Sequence, residues 1–206
     1  ALPISWEGGN PPKEKLIVQL DDNREIKVID IETRYIDPES GKLLSSREFL
    51  MKLVGHLPEL YKDESQLRHL WSNPDTREEL LVHLAGIGIG QDQLEDLKKM
   101  FSAEDSDIFD ILAHLSFNSE IKYRLERKEM AEKTLDIYEN LWAREFLEFL
   151  LMLYVRNGIL EFRKDSLSSK IALFNRGTTA QIAKQFGGNK ELREAYYKVQ
   201  ESLYIK

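Results

Sequence analysis

The tripeptide Glu25-Ile26-Lys27 has the E-x-K spacing that divalent-metal nucleases use. In such enzymes an acidic residue on a neighbouring strand completes the metal site, and the lysine supports the attacking water. The nearby acids here, Asp21 and Asp22, belong to the tight turn before the tripeptide and are too close to reach across from another strand. We therefore interpret the tripeptide as the solvated face of a hairpin.

A denser acidic group could hold a divalent cation, because carboxylates are preferred ligands of such ions. It consists of Glu104, Asp105, Asp107 and Asp110. Its position at the start of a predicted helix favours capping and interaction with the helix dipole instead.

The chain has four histidines, and no two are spaced four apart as two zinc ligands on one helix would be. They are His56, His69, His83 and His114.

Motifs for nucleotide binding and covalent catalysis are missing from the sequence. Gly86, Gly88 and Gly90 have the wrong spacing for a dinucleotide-binding loop, and they follow a helical pattern rather than a strand. There is no phosphate-binding G-x-x-x-x-G-K-[ST] loop, no G-x-S-x-G elbow and no cysteine. We predict that this piece contains no catalytic, metal-binding or cofactor-binding residue and is not itself an enzyme.

Residues 178–187 and the helix predicted after them are similar to a helix-turn-helix, with Ala183 small enough for close packing. The net charge of −7 opposes non-specific DNA binding, but the last 31 residues contain six basic and three acidic side chains. The candidate recognition helix carries Glu191 and Glu194 beside its basic residues. A DNA-binding module is therefore the alternative to a purely structural helix pair.

Alternating β-branched residues predict two strands, at 15–20 and 25–31, joined by a turn. A second turn at 37–41 leads to a short third strand at Lys42–Leu44. From Ser45 onward the apolar spacing is helical. These patterns predict a mainly α fold, a multi-helix bundle with a small N-terminal β-hairpin or a short three-stranded sheet.

Capping residues and breakers set the predicted helix limits. Ser46 caps the first helix, which Gly55 and Pro58 end, and Asp105 or Ser106 opens a later one. The longest predicted helix runs over 135–157, and the second half of it is apolar nearly all round, which predicts a central position. Three shorter helices follow, at 165–174, 178–186 and 189–204.

The longest apolar stretch, residues 146–155, is about half of the roughly 20 residues that cross a bilayer. The first twelve residues lack the pattern of a secretory signal, and the chain does not begin with methionine. We therefore expect a cytoplasmic piece of a longer protein.

An ordered series of segments resembles the C-terminal region of the R subunit of type I restriction–modification enzymes. The most familiar segment is SDIFDILA at 106–113. The others, in the family's order, are LPEL at 57–60, LRHLW at 67–71, RLER at 124–127, FLEFL at 146–150, and the stretch from FGG at 186–188 to LY at 203–204.

The resemblance implies a parent subunit with an N-terminal nuclease domain and two helicase-like motor domains. That parent is implied to be an ATP-dependent deoxyribonuclease of bacteria or archaea that uses ATP and Mg²⁺. The C-terminal region is implied to dock the motor onto the methyltransferase and specificity subunits. In this interpretation residues 1–44 are a β-containing segment leading from the preceding motor domain, and residues 45–206 are a helical assembly domain.

For contacts with the partner or with DNA we select basic groups near the family segments, expecting them to be exposed, because arginine is enriched at interfaces. They are Arg124, Arg127, Lys128, Lys190 and Arg193.

Overall fold

The computed structural model describes residues 14–20, 22–31 and 35–205. The described part is mainly helical, as predicted, with two antiparallel two-stranded sheets near its N-terminal end. Strand β1 (Lys15–Gln19) pairs with β2 (Glu25–Ile29), and β3 (Tyr35–Ile36) pairs with β4 (Leu43–Leu44). The predicted hairpin is therefore confirmed.

The hairpin buries one face and exposes the other, as a two-residue repeat requires. Val18 pairs with Ile26, and both side chains are buried. The predicted strand at 42–44 forms as β4, but its partner is β3, so the described strands do not make one three-stranded sheet. The ring of Tyr35 stacks on Phe49 at a centroid distance of 3.9 Å, which ties the second sheet to the first helix.

Ten α-helices follow in the part of the chain that the structure describes. They are α1 (Ser46–Leu60), α2 (Glu64–Ser72), α3 (Pro74–Gly86), α4 (Gln91–Met100), α5 (Ile108–Phe117), α6 (Arg124–Glu132), α7 (Leu141–Asn157), α8 (Leu167–Phe174), α9 (Thr179–Phe186) and α10 (Asn189–Ser202). Two 3-10 turns lie at Leu135–Ile137 and Ile159–Glu161. Within the described ranges, no helix is long and apolar enough to span a membrane.

The first helix begins one residue earlier than predicted and ends later. Ser45 is the cap and forms a reciprocal capping box with Glu48. The prediction that Gly55 and Pro58 end the helix is wrong, since the helix continues through both to Leu60. Both breakers lie on the exposed side, while the other side packs into the core over the whole length of the helix. That packing outweighs their low helix propensity.

The long helix predicted over 135–157 is divided in two. A 3-10 turn occupies Leu135–Ile137, and Asn140 then caps α7 by accepting a hydrogen bond from the amide of Ala143. The central position predicted for the second half is confirmed, because it is buried on most of its circumference. Its fully or almost fully buried side chains are Phe146, Leu147, Leu150, Leu151 and Tyr154. A single hydrophobic core includes residues from the hairpin and from all ten of the described helices.

Candidate functional site

A buried carboxylate, Asp107, stands where α5 begins. Its Oδ2 accepts hydrogen bonds from the hydroxyls of Tyr154 in α7 and Tyr204 after α10, each at 2.6 Å. The residue holds the cap position of α5, but its side chain makes no capping hydrogen bond. The predicted capping role of this side chain is therefore wrong, and Asp107 instead connects three distant parts of the chain.

One helical turn later, Asp110 forms a two-pronged ion pair with Arg127 of α6. The guanidinium Nε of Arg127 donates to Oδ2 of Asp110 at 3.0 Å, and Nη2 donates to Oδ1 at 2.6 Å. The arginine side chain is 4% exposed and the aspartate side chain is 1% exposed. The remaining Nη1 donates to the backbone carbonyl of Leu203 at 2.8 Å. The guanidinium also lies 4.9 Å from the ring centroids of Phe109 and Tyr204, a cation–π distance.

A second buried arginine, Arg77, also contacts α10. It donates to the backbone carbonyls of Trp71 and Phe162 at 2.8 and 2.6 Å, and to the side-chain carbonyl of Gln200 at 2.8 Å. Arg77 thus joins α3 to α2 and α10, and Arg127 joins α6 to α5 and to the segment after α10. We call the five side chains Arg77, Asp107, Asp110, Arg127 and Tyr204 the buried network.

Burial shifts the pKa values of two tyrosines and one carboxyl group in this interior. Burial, with the negative charge of Asp107 adding to it, raises the pKa of Tyr154 and of Tyr204 well above the usual value. Burial also raises the pKa of Asp110, against the opposing hydrogen bonds from Arg127. The two carboxylates thus already have internal donors, and no group of three histidine or acidic side chains suited to a metal ion occurs in the described residues. The arrangement holds α5, α6, α7 and the segment after α10 together.

The residues that could have formed a nuclease site lie on the outside. Glu25 and Lys27 occupy exposed positions of β2, so the interpretation as a solvated hairpin face agrees with their surroundings. Neither has a salt-bridge partner among the described residues.

The five basic residues selected as contacts have different surroundings. The expected exposure of Arg127 is wrong, because Asp110 lies one turn into the neighbouring α5 and draws the guanidinium into the core. Arg124 is only 14% exposed, with Nη2 3.7 Å from Asp105, and Lys128 pairs with Glu132. The other two, in the first turns of α10, are exposed; they are Lys190 and Arg193. Their role as contacts stays a prediction.

The helix pair considered for DNA binding is present as α9 and α10, with Thr178 capping α9 through a capping box. Two glycines, Gly187 and Gly188, both with positive φ, connect the helices. One side of α10 is buried, including Leu192 and Tyr196. Its exposed side carries acidic and basic residues in alternation, so the charge available to a phosphate backbone is small.

A surface groove that sequence reasoning missed lies between the start of α6 and the end of α7. It has a volume of about 410 Å³, and its lining includes Tyr123, Leu125 and Val155. Tyr123 is 54% exposed and Leu125 is 55% exposed, which is high for large apolar side chains outside the core. We call this feature the α6–α7 groove. The sequence gives one indication of this groove, a lone leucine, Leu125, in the otherwise charged stretch RLERKE at 124–129.

Comparison with protein families gives a match over residues 47–204 to the model described as EcoEI R protein C-terminal. The chain belongs to this family. The match covers the helical body described above. This EcoEI R C-terminal domain is therefore the C-terminal part of a type I restriction enzyme R subunit. The resemblance stated from the sequence is thereby confirmed. No curated protein and no solved structure matches this EcoEI R C-terminal domain.

Proposed function

We propose that this domain is a non-catalytic assembly module, which docks the DNA-translocating and DNA-cleaving parts of the R subunit onto the methyltransferase–specificity core. The proposal depends on one observation above all. The buried charged side chains that cluster in the described residues have partners inside the fold: Asp110 is paired with Arg127, which also bonds a backbone carbonyl, and Asp107 accepts from two tyrosine hydroxyls.

The exposed apolar groups of the α6–α7 groove support the same proposal. Large exposed apolar groups with tyrosine, methionine and arginine nearby are typical of surfaces that meet another protein. In this proposal ATP and Mg²⁺ act in other domains of the R subunit, and the assembled enzyme works in the cytoplasm of a bacterium or archaeon.

The test compares the intact R subunit with a version that lacks residues 45–206. Binding to the purified methyltransferase–specificity complex is measured by calorimetry without DNA, and retained ATP hydrolysis shows that the truncated subunit is still folded. We expect the truncation to abolish measurable binding. Equal affinity of the intact and truncated subunits would overturn the proposal.

The alternative, a DNA-binding module built from α9 and α10, has one observation in its favour: Lys190 and Arg193 are exposed at the start of α10. Fluorescence anisotropy with duplex DNA at several salt concentrations tests it, using the intact R subunit and the double change Lys190→Gln and Arg193→Gln. A weaker affinity and a smaller salt dependence in the variant would favour DNA binding, since each lost phosphate contact reduces the salt slope by about 1.

A further inference from the structure

The α6–α7 groove lies between two antiparallel helices. Leu125, at the start of α6, and Val155, at the end of α7, both line it, so the two helices run in opposite directions. Met152 precedes Val155 by three positions and is 58% exposed, which places another apolar group one turn along α7 on the same side. An apolar strip therefore continues from the groove along α7.

Acidic side chains surround this strip. Asp105 and Glu126 line the groove itself. Glu129 follows Leu125 by one turn on α6, and Glu148 precedes Met152 by one turn on α7; both are exposed. The exposed cation at this end of α7 is Arg156, whereas Lys128 is paired with Glu132 and Arg124 is turned towards Asp105. The rim is thus predominantly negative.

The shape of the groove indicates that the partner contributes a helix. Two antiparallel helices leave a shallow furrow along their contact, and a third helix packs into such a furrow through residues spaced three and four apart. An apolar strip with a negative rim matches a helix whose apolar stripe is flanked by lysine or arginine, because opposite charges at a rim favour encounter and set the orientation.

From the apolar strip of Tyr123, Leu125, Met152 and Val155 and its acidic rim, we propose that the α6–α7 groove is the docking surface for a basic amphipathic helix of the methyltransferase–specificity core. This inference depends on the proposed assembly function and names the surface and the partner chemistry. The apolar strip supplies affinity, and the rim supplies orientation and dependence on salt.

The experiment uses the intact R subunit and measures its affinity for the purified methyltransferase–specificity complex by calorimetry. The double change Leu125→Gln and Met152→Gln keeps helix-forming side chains but removes the apolar strip. We expect it to weaken binding about tenfold or more, as for residues that dominate an interface. The matched control, Val82→Gln and Leu173→Gln, alters equally exposed apolar side chains of α3 and α8 and is expected to leave the affinity unchanged.

A second pair of variants tests the charge of the partner helix. Glu129→Lys with Glu148→Lys is expected to weaken binding and to flatten its decrease with added salt, whereas Glu78→Lys on α3 should change neither. Unchanged affinity in the Leu125 and Met152 variant would overturn the groove as the surface, and an unchanged salt dependence in the charge variant would overturn the basic helix. Neither result is the one that would overturn the proposed assembly function. That result is equal affinity of the truncated and the intact subunit for the complex.

Discussion

The hydroxyl of Tyr204 donates a 2.6 Å hydrogen bond to Oδ2 of Asp107, which lies 97 positions earlier in the chain. Tyr154 donates to the same oxygen. These two donors, together with the nearby guanidinium of Arg127, compensate for the removal of the carboxylate from water. Tyr204 is therefore part of the interior that holds α5 and α7 together.

Replacing Tyr204 with Phe removes one of these donors and keeps the ring. We expect a loss of about 1–3 kcal/mol in the free energy of unfolding, because a buried charged acceptor loses a partner. Urea denaturation followed by circular dichroism measures it. The control is Tyr197→Phe, whose hydroxyl lies 3.5 Å from Asp75 near the surface; an equal effect of both changes would contradict the expectation.

Replacing Arg127 with Met leaves Asp110 buried without its cation. The expected cost is about 3–5 kcal/mol, since breaking one side of a buried ion pair strands the other charge. The neighbouring change Lys128→Met removes a partly exposed pair on the same helix and should cost about 0.5 kcal/mol or less. Adding Asp110→Asn to Arg127→Met should restore part of the loss, and failure to restore any would argue against a stranded charge as the cause.

The raised pKa values of Tyr154 and Tyr204 predict a loss of stability at alkaline pH. Each phenol has a higher pKa in the folded state than in the unfolded state. As pH rises, the two tyrosines lose their protons first in the unfolded protein, and this ionisation favours unfolding. Stability from these groups is complete below about pH 10 and is lost as pH rises above it. Urea midpoints between about pH 8 and pH 11 measure the decrease.

The double change Tyr154→Phe and Tyr204→Phe should make that alkaline decrease shallower, although the protein starts from a lower stability. Tyr123→Phe serves as the control, because this side chain is half-exposed and makes no contact with Asp107. If the decrease has the same slope in all three proteins, other groups are responsible.

Two glycines should respond to alanine in opposite directions. A Cβ on Gly55 meets no atom within 4 Å, and the residue is an exposed position inside α1, so Gly55→Ala should stabilise the protein by about 0.5–1 kcal/mol. Gly187 has a φ of 100° at the end of α9, which alanine adopts at a cost of roughly 1–2 kcal/mol. Thermal denaturation distinguishes the two, and a shift of the same sign for both would contradict the prediction.

The helical body could be predicted from the sequence because its helices follow local rules. Asn73, Asp63 and Thr178 each cap a helix with their own side chain, and each lies where the spacing of apolar residues changes. The end of α1 could not be predicted in this way. Whether Pro58 ends a helix depends on which side of it is buried, and that is set by contacts with distant segments.

The buried network was beyond local reasoning for a similar reason. Arg127 lies in a charged stretch, and Asp110 lies at the start of a helix, so each has an ordinary explanation in its own neighbourhood. Their pairing depends on how α5 and α6 pack. The α6–α7 groove gave a fainter signal, since Leu125 interrupts the charged stretch without joining an apolar stripe.

The distance of Tyr204 from Asp107 along the chain has a consequence for synthesis on the ribosome. When α5 leaves the ribosome, the tyrosine that completes the surroundings of its carboxylate has not yet been made, and 97 positions separate the two. The carbonyl of Leu203 that Arg127 binds is equally late. The surroundings of Asp107 and Arg127 can therefore be completed only after α10 and the two residues that follow it have been synthesised.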